Sequence, residues 1–399
     1  MVQLTATTPS KFSGFPRWKK HAKARGKTLN EEVISLEANE QRAPDLGCGI
    51  ESPAPVFNNS LLRAAVLPVL PGKRMDTHLF VITAVYMHLI QVGLRNVQSA
   101  IADFRSVQEL NAYFEKFFAR NQSISAKQWF SALPTPIERL QMKKLIKEVF
   151  SAKDYETHCS PSLLDNYDAL RGSITVTLFK RDFCVIHELV PSNNGSLFKR
   201  FWGYVVISNR PERPVHHSAA HFESDGDVCN EAAAVFERTA GKSLVVAGAN
   251  RFAVVGQETN SCQPTTALAD AAHNNETMFH IMNEAIYEAA SSEPRINNTF
   301  IQWHGMAETS CSITQAYVSA GVNNASRVYY NGDLAANRNI RGAFVHIEQK
   351  QAVRDNWDLW TKVINASFPA PSHGTSHAPP AILAVIVFAM TTSPYCMRF

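Results

Sequence analysis

The chain has 399 residues, 45% of them hydrophobic and 19% charged, with a formal charge of +4. That composition can fill a buried core, which excludes a disordered polar chain. The small net charge, with no dense Lys/Arg stripe, argues against nucleic acid as the partner, and no apolar run is long enough for a stable membrane span.

Residues 1–74 read as a polar, disordered leader. Its basic cluster, Arg17 to Lys27, is a solvated arm or a localisation signal. Lys73-Arg74-Met75 then opens an apolar run, Leu79 to Ile90, with the length of a signal core. Two readings stay open for it: a buried helix or strand, or a secretion signal starting near Met75. Residues 75–164 read as a mainly helical segment. Within it Val97, Ile101, Phe104, Val107, Leu110, Phe114 and Phe117 recur every three or four positions, which paints one face of a helix, or of two short helices in line. Thr135-Pro136-Ile137-Glu138 reads as a capping box with proline at the first helical position. The helix it opens would bury Leu140, Leu145, Ile146 and Val149.

From 165 to 370 the texture becomes that of an α/β domain. Runs 172–179, 183–190 and 201–208 are β-rich, and Asn193-Asn194-Gly195 signals a turn. A histidine-rich loop follows, then a helix over 228–239, a strand over 242–248, a helix over 276–290 and a strand over 300–303. This alternation predicts a three-layer α/β sandwich with a mainly parallel sheet, in which 242–248 and 300–303 are neighbours. Residues 371–399 read as a variable tail. Its short apolar run Ala381 to Met390 is only a weak anchor signal, because polar residues follow it.

Seven cysteines are present and none forms a Cys-x-x-Cys pair, which argues against a zinc ribbon. Cys184, inside an apolar run, reads as a buried small hydrophobe. Seven Asn-x-Ser/Thr sequons, at Asn58, Asn121, Asn194, Asn275, Asn297, Asn324 and Asn365, point to secretion. The polar N-terminus points the other way, towards the cytoplasm.

Two phrases carry the chemistry: His216-His217-Ser-Ala-Ala-His221-Phe-Glu223-Ser-Asp225-Gly-Asp227 and Phe300-Ile-Gln-Trp-His304-Gly-Met-Ala-Glu308. Imidazole and carboxylate suit a catalytic zinc ion. His217 and His221 are four apart, but Pro214 and the Ser-Asp-Gly-Asp stretch oppose a helix, and His-Glu-x-x-His is absent. In a loop, His221 could ligate a metal with Asp225 or Glu223, and His221, Asp225 and His304 are the expected ligands. Asp227 is better placed to cap the following helix. Glu308 is the expected general base and Glu223 its substitute. Arg251 is placed to hold a carboxylate or an oxyanion. Asp270 and His273 are orienting partners or a capped helix start. Gly-x-Ser-x-Gly, a phosphate loop and a dinucleotide fingerprint are all absent.

At these residues the chain resembles a group of mostly fungal secreted proteins of uncharacterised function. The likeness rests on His217, His221 and Asp225, on Gly248 with Arg251, and on Gln302, His304 and Gly305, and covers roughly residues 170–340. More distantly, the order is similar to zinc-dependent amidohydrolases of the poly-γ-glutamate hydrolase and N-formylglutamate hydrolase type. Those usually carry His-Gly-Gly or His-Ser-Gly where this chain has His221-Phe-Glu-Ser-Asp225. The resemblance, together with Arg251, implies a zinc-dependent hydrolase acting on an amide or peptide that bears a carboxylate. His217 and His273 are the residues expected to orient the ligands. The competing expectation is a non-catalytic secreted binding or surface protein whose histidines are structural.

Overall fold

The computed structural model describes residues 101–191, 196–260, 265–293, 296–310, 315–320 and 344–370. All belong to the compact unit Leu67–Phe399. The leader, the run 79–90, the Asn193-Asn194-Gly195 turn and the tail lie outside the described residues.

The first helix, α1 (Val107–Phe114), is capped by Ser106, whose side chain accepts from the Glu109 N–H. A second, α2 (Ala126–Ala132), precedes α3 (Pro136–Ser151). The Thr135 box is complete: its hydroxyl accepts from the Glu138 N–H, and the Glu138 carboxylate accepts from the Thr135 N–H at 2.7 Å. The expected buried face shifts slightly. Met142, Leu145, Ile146, Val149 and Phe150 are buried, while Leu140 is 49% exposed. A short α4 (Tyr155–His158) leads into the strands.

Strands β1 (Ile174–Phe179), β2 (Phe183–Glu188) and β3 (Tyr204–Ser208) form an antiparallel meander. The β1–β2 connection of a few residues permits only antiparallel pairing, since a parallel crossover needs a dozen or more. Next come β4 (Val215–Ala219), α5 (Val228–Arg238), β5 (Ser243–Val246), α6 (Met278–Ser291), β6 (Thr299–Gly305), β7 (Ala316–Ala320) and β8 (Phe344–Gln349). Helices α7 (Gln351–Arg354) and α8 (Trp357–Ser367) follow.

The sheet order is β1-β2-β3-β5-β4-β6-β8-β7. Only the block β5-β4-β6-β8 is parallel, and both flanks are antiparallel, so the sheet is mixed and the expectation of a mainly parallel one is corrected. A second correction follows from it. The stretch read as a histidine loop begins as β4, the strand between β5 and β6, so 242–248 and 300–303 share a sheet without being neighbours. Polar residues are tolerated on this central strand because they find partners. His216 lies 2.8 Å from Ser243 Oγ and 3.1 Å from Asn298 Oδ1. His217 Nδ1 accepts from the Trp303 indole N–H at 3.0 Å.

Strand period two divides the sheet between two cores. Phe300, Phe344 and Val245 pack with α3 and α6 on one face. Ile301, Trp303, Ile347 and Leu244 pack with α1, α5 and α8 on the other. Helices thus cover both faces.

Cys184 is corrected as well: it is buried, but as half of a disulfide with Cys159. The bridge closes a sequence separation of 25 residues. Chain-entropy arithmetic makes such a loop worth about 3–4 kcal/mol. The Cys159→Ala/Cys184→Ala protein is therefore expected to unfold at a clearly lower denaturant midpoint, with a slope no shallower than the parent's because its unfolded chain is more expanded. An unchanged midpoint would show that the bridge contributes nothing.

Candidate metal centre

The site forms where the parallel strands end. After β4 the chain makes a tight turn, His221 to Asp227, before α5. Glu223 and Gly226 both adopt positive φ, at 59° and 76°. The turn is closed by Gly226 N–H donating to Glu223 O and Asp225 N–H donating to His221 O. It aims the His221 ring and the Asp225 carboxylate at the end of β6, where His304 stands. Gly305 lets the two segments meet. A Cβ there would lie 2.3 Å from the Asp225 carbonyl oxygen, which no side chain tolerates. The Gly305 N–H donates to Asp225 Oδ2 at 3.2 Å. Gly305→Ala is expected to push the turn away, destabilise the fold by about 1–3 kcal/mol and weaken cation binding. A thermal melt with a zinc titration checks both, and a variant equal to the parent in both contradicts the close approach.

Three donor atoms converge. His221 Nδ1 and Asp225 Oδ2 are 3.0 Å apart, His304 Nδ1 and His221 Nδ1 3.0 Å, and His304 Nδ1 and Asp225 Oδ2 3.1 Å. All three side chains are buried. Each ring nitrogen carries at most one hydrogen, so at most two of the three edges are full hydrogen bonds at once. A tetrahedral cation with bonds of about 2.0–2.1 Å would set its ligands about 3.3–3.4 Å apart, close to the spacing found.

Further groups fix the triangle. His221 Nε2 lies 2.9 Å from Asp270 Oδ1, and His273 Nδ1 lies 3.0 Å from the same oxygen. In the neutral ring, a hydrogen kept on Nε2 for Asp270 would leave the Nδ1 lone pair facing the triangle. Arg251 Nη2 donates to Asp225 Oδ1 at 3.0 Å and also meets His221 Nδ1. On the other side, the His346 ring sits edge-on to His304, with centroids 4.6 Å apart. Glu348 is the register partner of His304, and its Oε1 lies 3.5 Å from His346 Nε2.

Among the described residues, three sets are able to hold a cation, each with donor atoms within 4.8 Å of one another: His221, Asp225 and His304; His221, Asp270 and His273; His304, His346 and Glu348. Charges follow the geometry. Burial and the Arg251 charge press the His221 pKa down, but the Asp225 and Asp270 carboxylates outweigh them and hold it at about 9. Burial works to raise both of these carboxyls, yet their histidine partners keep them well below the usual range. Burial pushes His304 down to about 4 and leaves it neutral near pH 7. Burial, joined by the Asp225 charge, pushes Glu348 up to about 8.

The remaining expected residues are placed as follows. Arg251 and His273 line the partly open side of the cluster, with side chains 26% and 21% exposed. Glu308 is exposed, and its carboxylate accepts from the Gln351 N–H at 2.9 Å. Glu223 faces solvent and pairs with Arg120. His217 stacks on Trp303 against α5, on the sheet face away from His304. Asp227 starts α5 without a side-chain cap bond, and its Oδ1 accepts from Asn230 Nδ2 at 2.7 Å instead. Sequence reasoning passed over His346 and Glu348. Their signal was faint: a histidine and a glutamate two apart in an apolar run, hence on one strand face. No protein family, curated protein or solved structure matches this chain.

Proposed function

We propose that the protein is a zinc-dependent hydrolase of amide or peptide bonds in substrates that bear a carboxylate, built on a three-layer α/β sandwich. The observation that carries this reading is the buried triangle of His221 Nδ1, Asp225 Oδ2 and His304 Nδ1. Two imidazoles and one carboxylate make the protein donor set of a hydrolytic zinc site, and the side on which Arg251 lies is the one a fourth ligand would take. When bound, the ion supplies a water of near-neutral pKa and polarises a carbonyl.

The chain's own residues do the rest. Asp270 holds the His221 tautomer, and His273 stands behind Asp270. To offer its planar fork to a substrate carboxylate, Arg251 would leave its hydrogen bond to Asp225 and its contacts with the His221 ring. For the proton-accepting base the candidate is Glu348, which becomes able to accept a proton as pH rises towards its pKa of about 8. It adjoins His304, and its side chain is 25% exposed, so solvent reaches it. Glu308 and Glu223 stand behind it in that role, since each is engaged elsewhere. Secretion is part of the proposal. The Cys159–Cys184 disulfide suits an oxidising compartment, and the sequon residues Asn121 and Asn297 are exposed. The likeness to mostly fungal secreted proteins and to amidohydrolases also belongs to it. Among the described residues, no helix is long and apolar enough to cross a membrane.

One observation favours the non-catalytic reading. Protonated His221 and Arg251 balance Asp225 and Asp270, so the cluster closes its own charge without a cation. Glu348→Gln separates the two readings. The variant is expected to keep stoichiometric zinc while hydrolysis of N-acylated acidic amino acids falls at least about 100-fold. A parent protein that neither retains zinc by elemental analysis nor hydrolyses such amides would leave the histidines structural.

A further inference from the structure

We propose that His346 and Glu348, together with the His304 ring, form a second and weaker cation seat whose filling inhibits the enzyme. This rests on the reading of the first site given above. Strand period two puts His346 and Glu348 on the same face of β8, and register sets Glu348 beside His304 of β6. Donor atoms of the three lie within 4.8 Å of one another. The first site engages His304 at Nδ1. Its Nε2 is buried and has no hydrogen-bond partner. An orphaned buried nitrogen calls for a ligand or a cost, and here two further donors adjoin the same ring. Two histidines and a glutamate are a donor set that zinc accepts.

The order of filling follows from the shared ring. The first cation displaces a proton from His221, whose other ring nitrogen keeps its hydrogen on Asp270. The second must displace the remaining proton of His304, which leaves to solvent, and it enters against the repulsion of the first. It therefore binds more weakly. Its consequence for turnover is direct: the Glu348 carboxylate becomes a ligand and is no longer free to accept a proton.

Zinc titration of the metal-free full chain, read by calorimetry and by elemental analysis after gel filtration, tests this. Two classes of site are expected, the second at least tenfold weaker, with amide hydrolysis declining as the second fills. His346→Ala is expected to lose the weak class and keep the tight one within about threefold, with a normal circular dichroism spectrum. Glu348→Gln is expected to lose the weak class too, which keeps the test intact if His346→Ala fails to fold. A parent that binds one zinc only, or variants that retain both classes, overturns the second seat and leaves the first standing. A parent that binds none overturns both.

Discussion

The His304→Ala protein is expected to come through purification without zinc. The substitution deletes one corner of a triangle whose edges are 3.0–3.1 Å. Two ligands then remain, one of them a carboxylate that Arg251 also holds. Partners that merely orient a ligand are worth about 10–100-fold in affinity, so loss of a ligand should exceed roughly 100-fold. The buried ring also leaves a cavity, costing about 2–3 kcal/mol, which the fold should survive. Zinc content and a dissociation constant, measured beside a circular dichroism spectrum, decide the matter. If the variant binds zinc as tightly as its parent, the site lies elsewhere and the histidines are structural.

Arg200→Ala is expected to be the most destabilising single change away from the site. The Arg200 guanidinium makes a two-pronged pair with Glu138, at 2.6 and 2.9 Å, with side chains only 13% and 8% exposed. It also donates to the Ala132 and Leu133 carbonyls and to Ser173 Oγ, and lies over the Trp202 ring. One side chain thus ties the end of α2, the start of α3 and the entry to β1. Removing one partner of a buried pair costs about 3–5 kcal/mol, because the other charge stays buried alone. The pH dependence has a definite sign. Burial opposes ionisation of Glu138, yet Arg200 and Thr135 bring its pKa below the ordinary value. Its contribution is therefore present above the unfolded value near 4.5 and lost as pH falls through the folded one. Urea midpoints of parent and variant should differ widely at pH 7 and converge in acid. Equal midpoints at pH 7 would contradict the role given to Arg200.

What the sequence disclosed divides by range. The capping box at Thr135 and Glu138 is a four-residue matter and was fully legible. So were β1, β2 and β5, as runs of apolar and β-branched residues. His216 and His217 misled, because polar side chains argue against a central strand until their partners, Ser243, Asn298 and Trp303, are known. Those partners stand 27, 82 and 86 residues away. At the site, His221, Asp225 and His304 announced themselves through two dense phrases. His346 and Glu348 did not, since only the β6–β8 register sets them beside His304. Asp270, 49 residues from His221, read as an orienting partner or as a helix start, with nothing local to decide between them, for the same reason.

The Asp225–His221–Asp270 arrangement has a bearing on speed. In the absence of a cation, a proton on His221 occupies the middle of a closed set of two positive and two negative groups. The two carboxylates and the rings hold one another in positions that could receive a cation. An arriving ion exchanges with a proton instead of ordering a loop, and the entropy of assembling the ligands has been met during folding. Capture should then be limited by proton departure and by the passage past Arg251, not by rearrangement of the chain.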